Sequence, residues 1–224
     1  RAARVLRRLG VNPGFAMDIT TNDETGKPWD FELLEQRNKA VRLLLETEPD
    51  MLVGSPMCKD YSALQRLNKA RSKHPEKYDE AKRRSRKHLE FVCSMYKIQH
   101  KGGRLFLHEH PAQASSWEEE CIQEVMSLPG VECSTMHQCQ LGQQDEEGNP
   151  VKKPTKWMSN SEQVLQALHK TCGGRKGWCD SEGKWRKHTP CYGKVAASAA
   201  IYPFKMCRAI LQGFVKEMKK KGRW

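Results

Sequence analysis

An α/β fold with mostly parallel strands is what this sequence predicts, and three observations predict it. The hydrophobic patterns between residues 14 and 54 run strand, helix, strand, an order that needs a crossover and so favours parallel pairing. Two short continuous apolar runs, Met51-Leu52-Val53 and Leu105-Phe106-Leu107, have the look of buried strands. Each of them enters a polar, proline-containing segment, Gly54-Ser55-Pro56-Met57-Cys58 in one case and His108-Glu109-His110-Pro111 in the other.

In chain order, Arg1 to Leu9 reads as a basic helix stopped by Gly10 and Pro13. Gly14 to Thr20 is expected as a strand ending near the acid Asp18, and the polar stretch from Thr21 to Pro28 as turns. From Phe31 to Glu46, the spacing of Leu33, Leu34, Ala40, Val41, Leu44 and Leu45 predicts a helix with one apolar face. The strand at 50–54 follows. A long helix is predicted from Pro75 to His100, with Leu89, Val92, Cys93, Tyr96 and Ile98 inward. Gly102-Gly103 then leads into a strand over 104–108. Trp117 to Leu128 reads as a helix, Val131 to Met136 as a strand, and Thr155 to Met158 as its hairpin partner. Ser159 with Glu162 is a capping-box pattern opening a helix to about His169. Residues 171–193 are rich in Gly, Cys and Trp without a clear period, and a last helix runs from about Pro203 to Lys220.

With 224 residues the chain is long enough for one domain with a real core. It divides on this reading into a core at 1–168, a Cys-rich insertion at 169–194 and a C-terminal helix at 195–224 packing back on the core. Thirty-nine Lys and Arg against 27 acids give a formal charge of +12, which suits a partner carrying phosphates. No apolar run reaches membrane-spanning length and no signal-like segment is present, so a soluble nuclear or cytoplasmic protein is expected, with no membrane partner. Nine cysteines without a secretory signal point to reduced thiols or metal ligands rather than disulfides. Arg1 is not an initiator residue and helix-like sequence begins at once, so the chain is expected to be a fragment of something longer.

The two strand ends carry the chemistry. One offers the thiol of Cys58 and the other the carboxylate of Glu109, to the same edge of a parallel sheet. Read singly, Cys58 is a small buried residue and Glu109 an ion-paired surface acid. Together, Gly54, Pro56, Cys58, Tyr61 and Ser62, followed by Glu109-His110-Pro111, resemble the DNA cytosine-5 methyltransferase family. Its nucleophile loop reads Gly-Gly-Pro-Pro-Cys-Gln-x-Phe-Ser, and its acid follows a strand as Glu-Asn-Val or Glu-Asn-Pro. Met57 departs from that pattern, standing where the family has its second proline. Lys153-Pro154-Thr155-Lys156 is a loose version of the family's Gln-x-Arg-x-Arg strand, with lysines for arginines. The resemblance spans roughly residues 14–160.

The resemblance implies a Rossmann-like fold dependent on S-adenosylmethionine, acting on DNA. Cys58 would add as thiolate to C6 of a flipped cytosine, and Glu109 would hydrogen-bond the ring at N3 and the amino group. C5 would then attack the sulfonium methyl. Lys59 and a basic groove would favour the thiolate. Pro56 would shape the loop, and Lys153 or Lys156 would support the base or its phosphate. Asp18 would take the ribose-binding position, with Asp30 and Phe31 near the adenine; the bland reading of both acids is a turn or N-cap. The family's glycine-rich cofactor loop is missing, which implies a partner domain supplying it together with a first strand. A catalytically degenerate module that binds nucleic acid without cofactor is the competing reading. A third keeps the C6 thiol chemistry but adds a different carbon unit. His108-Glu109-His110 is not a zincin motif, since position 112 is alanine, and no Pro-Cys-x-x-Cys follows as in zinc deaminases.

Two further groups stand apart. Cys172, Cys179, His188 and Cys191, spaced C-x6-C-x8-H-x2-C, fit a tetrahedral structural zinc, with His169 as a substitute ligand. A loop with incidental cysteines is the alternative. Between Arg66 and Lys87 lie ten Lys or Arg and three acids, a stretch fit for phosphates just behind the Cys58 loop or, more blandly, a solvated helix face.

Overall fold

The computed structural model describes residues 11–183 and 185–224, with side chains except at 63, 64, 66 and 182. The helix expected over Arg1 to Leu9 lies outside the described residues. Two compact units are present, one over residues 14–131 and one holding 132–224.

The first unit opens on a self-bonded loop where a strand was expected at Gly14 to Thr20. Asp18 Oδ1 accepts from the N–H of Thr20 at 2.9 Å and from its hydroxyl at 2.6 Å, and the Asp18 N–H donates to Thr21 Oγ1 at 3.0 Å. Such local side-chain bonds offer the backbone an alternative to a ladder. Asp23 does the same further along. Its Oδ1 accepts from the N–H groups of Thr25 and Lys27, while Oδ2 receives Gln36 at 3.2 Å and Lys39 at 2.7 Å. Helix α1 (Leu34–Thr47) then buries Gln36, Ala40 and Leu44, a stripe of spacing four. Gln36 and Lys39 face Asp23, and Leu33, Leu34 and Leu45 stay exposed, unlike the expected apolar face.

Strand β1 (Met51–Gly54) pairs in parallel with β2 (Leu105–Pro111), in register from Met51 with Leu105 to Gly54 with His108. Between them come α2 (Ala63–Arg71), not expected from the sequence, and α3 (Pro75–Lys101), which starts with proline in its first turn as helices favour. The α3 face Leu89, Phe91, Val92, Cys93, Met95 and Tyr96 is buried. Gln99 locks the strand entries, its amide donating to the carbonyls of Pro49 at 2.9 Å and Leu105 at 3.1 Å. Gly54 has no alternative: a Cβ there would sit 2.0 Å from the Tyr96 hydroxyl oxygen. The single helix expected over Trp117 to Leu128 is a 3-10 turn at Ser115–Glu118 followed by α4 (Glu120–Met126).

In the second unit, β3 (Glu132–His137) and β4 (Pro154–Ser159) form the expected antiparallel hairpin, with Ser134 opposite Trp157. Helix α5 (Glu162–Leu168) is capped by Ser161, whose hydroxyl oxygen accepts from the Val164 N–H, rather than by Ser159. A two-residue ribbon, β5 (Trp178–Cys179) with β6 (Arg186–Lys187), a short α6 (Gly193–Ser198) and α7 (Phe204–Lys220) complete the unit. Helices α5 and α7 touch at Gly213, where a Cβ would meet Val164 Cα at 2.6 Å. The fold class is therefore mixed α/β with flanking helices: β1 and β2 pair in parallel, while β3–β4 and β5–β6 pair antiparallel.

Candidate functional site

The last parallel rung, Gly54 with His108, is followed on one chain by the Cys58 loop and on the other by Glu109. The strand reaches Pro111, so Glu109 and His110 lie inside β2 rather than past it. Alternation along the strand sends His108 and His110 to one face and Glu109 to the other. All three are buried, Glu109 at 5 % exposure and both histidines at 0 %.

The loop is held from beneath. His110 Nε2 donates to the Pro56 carbonyl at 3.0 Å, and its Nδ1 accepts from the Ser116 hydroxyl at 2.6 Å. A carbonyl has only lone pairs to offer, so this pairing puts a proton on Nε2. Cys58, half-buried, begins the 3-10 turn Lys59–Tyr61, and its carbonyl receives the Tyr61 N–H at 3.2 Å. The Tyr61 ring lies buried 6.1 Å from that of His110, with the Lys82 ammonium 5.7 Å from its centroid. Burial, then the Glu119 charge, pushes the Tyr61 phenol up, so it stays protonated. Asp60 accepts from the Ser85 hydroxyl at 2.6 Å and pins the turn to α3. Next to His110, His108 shares a hydrogen bond with the Tyr96 hydroxyl at 3.0 Å. Burial, aided by His110, holds His108 well below the usual imidazole range.

The residues expected around a cofactor are engaged locally. Asp18 is exposed and its carboxylate closes the Thr20 turn, whose hydroxyl lowers its pKa. Asp30 Oδ1 accepts from the Glu32 N–H at 2.9 Å. The Phe31 ring packs against Phe91 at 4.9 Å and His88 at 5.6 Å. The acid that organises this loop is Asp23, which Lys39 holds well below the carboxylate range. Its signal in the sequence was only an Asp-x-Thr turn pattern.

Lys153 and Lys156 belong to the second unit. The Lys153 ammonium reaches the Ala199 carbonyl at 3.4 Å, and Lys156 sits on β4 opposite Thr135. In the basic stretch, Lys69, Lys82, Arg83, Arg84 and Arg86 are ion-paired with Asp79, Glu80 or Glu119. Arg71, Lys73, Lys77 and Lys87 are exposed, without an ion pair among the described residues.

A second group gathers in the second unit. Ligand atoms of Cys139, Cys172, Cys179 and His188 all lie within 4.8 Å of one another, an arrangement that could hold a metal ion. Cys191 is not in the group, contrary to expectation. Its place is taken by Cys139, on the 3-10 turn Gln138–Leu141 directly after β3. His169 is not in it either, since its Nδ1 pairs with the Ser134 hydroxyl at 3.0 Å.

Among the described residues, no helix is long and apolar enough to cross a membrane. Comparison with protein-family models, with curated proteins and with solved structures finds no match to the chain.

Proposed function

We propose that residues 14–131 form the cytosine-binding half of a Rossmann-like, DNA cytosine-5 methyltransferase-like module, with Cys58 as nucleophile and Glu109 as the acid that holds the base. The observation that carries this reading is the parallel β1–β2 register, in which the Gly-x-Pro-x-Cys loop leaves β1 next to the strand that holds the buried Glu109. The His110 bond to the Pro56 carbonyl supports it by fixing the loop that carries the thiol.

The chemistry is covalent catalysis in steps that balance. The Cys58 thiolate adds to C6, and the electron pair released into the ring makes C5 nucleophilic. C5 takes up a proton from solvent or a carbon electrophile. Loss of the original C5 proton to a base then re-forms the double bond and expels the thiolate. Glu109 stabilises the electron-rich ring by hydrogen bonding at N3 and the amino group. A duplex substrate must first release the base, at a cost of about a few kcal/mol.

S-adenosylmethionine is the methyl donor this reading calls for. Asp18, Asp30 and Phe31 do not make a cradle for it, because two close local turns and the third packs on α3. That same observation favours a second reading, a degenerate module that binds nucleic acid without transferring methyl groups.

Two measurements on DNA separate these readings. With cytosine tritiated at C5 and no donor added, thiol addition releases tritium to water, and Cys58→Ser stops the release. With 5-fluorocytosine and S-adenosylmethionine, methyl transfer traps a Cys58–DNA adduct. Release without trapping leaves the donor-free thiol chemistry. DNA binding with neither signal overturns the catalytic reading in favour of the second.

A further inference from the structure

We infer that Cys139, Cys172, Cys179 and His188 bind one zinc ion in a closed, structural site. The group is assembled from separate stretches: the turn after β3, the segment entering the ribbon, β5, and the residue after β6. The Sγ atoms of Cys172 and Cys179 are 3.9 Å apart, and His188 Nε2 is 3.6 Å from Cys172 Sγ. Tetrahedral zinc, with bonds of about 2.3 Å to sulfur and about 2.0 Å to nitrogen, sets S···S near ~3.8 Å and S···N near ~3.5 Å. These two separations match that template and the whole group lies within 4.8 Å, whereas a disulfide needs sulfurs about 2.05 Å apart. None of the nine cysteines is in a disulfide.

Packing of small buried thiols would account for the three cysteines, which form a cluster of their own. It does not account for the histidine. His188 Nδ1 faces the Gly177 carbonyl at 3.1 Å and must carry the proton, so Nε2 turns its lone pair toward the sulfurs. This backbone-anchored imidazole is the outer-shell device of metal-binding histidines. The surroundings also suit thiolates. The Ser181 N–H lies 3.4 Å and the Gln140 amide 3.9 Å from Cys179 Sγ. Asp180 Oδ1 is 3.3 Å from Cys172 Sγ and accepts the thiol proton of the metal-free form. Asp180 also receives Gln140 at 2.7 Å and the Gly173 N–H at 3.0 Å, bracing two of the ligand-bearing segments together.

Three thiolates and an imidazole select zinc over hard cations. Four protein ligands leave no open position, so the ion holds structure rather than reacts. The segment needs it, because a ribbon of two-residue strands is not stable by itself. Binding displaces three thiol protons to solvent and forms three Zn–S bonds and one Zn–N bond.

The test uses the whole chain, purified reduced. Elemental analysis should find one zinc per chain, and cobalt in its place should give the intense visible bands of a tetrahedral sulfur-rich site. Cys139→Ser should lower zinc affinity at least about tenfold, while Cys191→Ser leaves it unchanged. Should Cys139→Ser fail to fold, alkylation of the unmutated chain decides. A chelator should expose Cys139, Cys172 and Cys179 to reagent but not the buried Cys93 and Cys207. No bound zinc, an octahedral cobalt spectrum, a larger loss from Cys191→Ser, or labelling that ignores the chelator would each overturn the inference.

Discussion

His110 shows how a residue with no expected role comes to support a candidate nucleophile. Its two nitrogens join the Pro56 carbonyl to the Ser116 hydroxyl in a site shut off from solvent. Replacing it by alanine leaves two buried polar groups short of a partner, at about 1–3 kcal/mol. The resulting drift of the Cys58 loop is expected to slow tritium release on the order of 100-fold. His110→Gln, which can still donate to one group and accept from the other, should recover part of that rate. Equal rates in the two variants would remove the positioning role. At this scale the place of Cys58 in the loop after β1 was legible, because a loop after an apolar run is a local pattern, whereas Glu109 was expected past its strand and lies inside β2. Asp23, His110 and Cys139 were not legible. What they do is set by partners distant in sequence, Lys39 for Asp23, Pro56 for His110 and Cys172 for Cys139.

Among the elements, the long amphipathic α3 and the terminal α7 lie close to where their periodicity put them, since a helix of many turns repeats its signal. The expected strand at Gly14 to Thr20 failed because aspartate and threonine side chains bond the backbone first. The start of α5 carries a subtler lesson. Ser161 is its cap, and Glu217 from α7 accepts from the Ser161 hydroxyl at 2.8 Å and from the Gln163 N–H at 3.3 Å. The acid that completes the helix start comes from another helix, so the Ser159/Glu162 pattern indicated a helix but the wrong cap. Ser161→Ala removes the cap and one donor to a buried carboxylate. Denaturant unfolding is expected to show a loss of about 1–3 kcal/mol. An unchanged midpoint would show that the Ser161 hydroxyl contributes nothing at this junction.

For the whole molecule, charge is the property most plainly written in the sequence, with +12 overall. Structure divides that charge into paired and unpaired parts, since five of the nine basic side chains described over 66–87 already face acids. If the chain binds nucleic acid through this stretch, neutralising Arg71, Lys73 and Lys77 together should flatten the dependence of log affinity on log salt. Each lost phosphate contact removes about 0.9 from the slope on duplex DNA. Neutralising the paired Arg83 and Arg84 should change it less, and an equal change would place the contact elsewhere. The division between residues 131 and 132 has a consequence of another kind. Cys58, Glu109 and His110 are encoded in one uninterrupted stretch, and all four residues of the group that could hold a metal ion in the next. In genetic terms the two candidate sites are adjacent but not interleaved. A single recombination breakpoint near codon 131 would hand one of them to a new gene intact and leave the other behind.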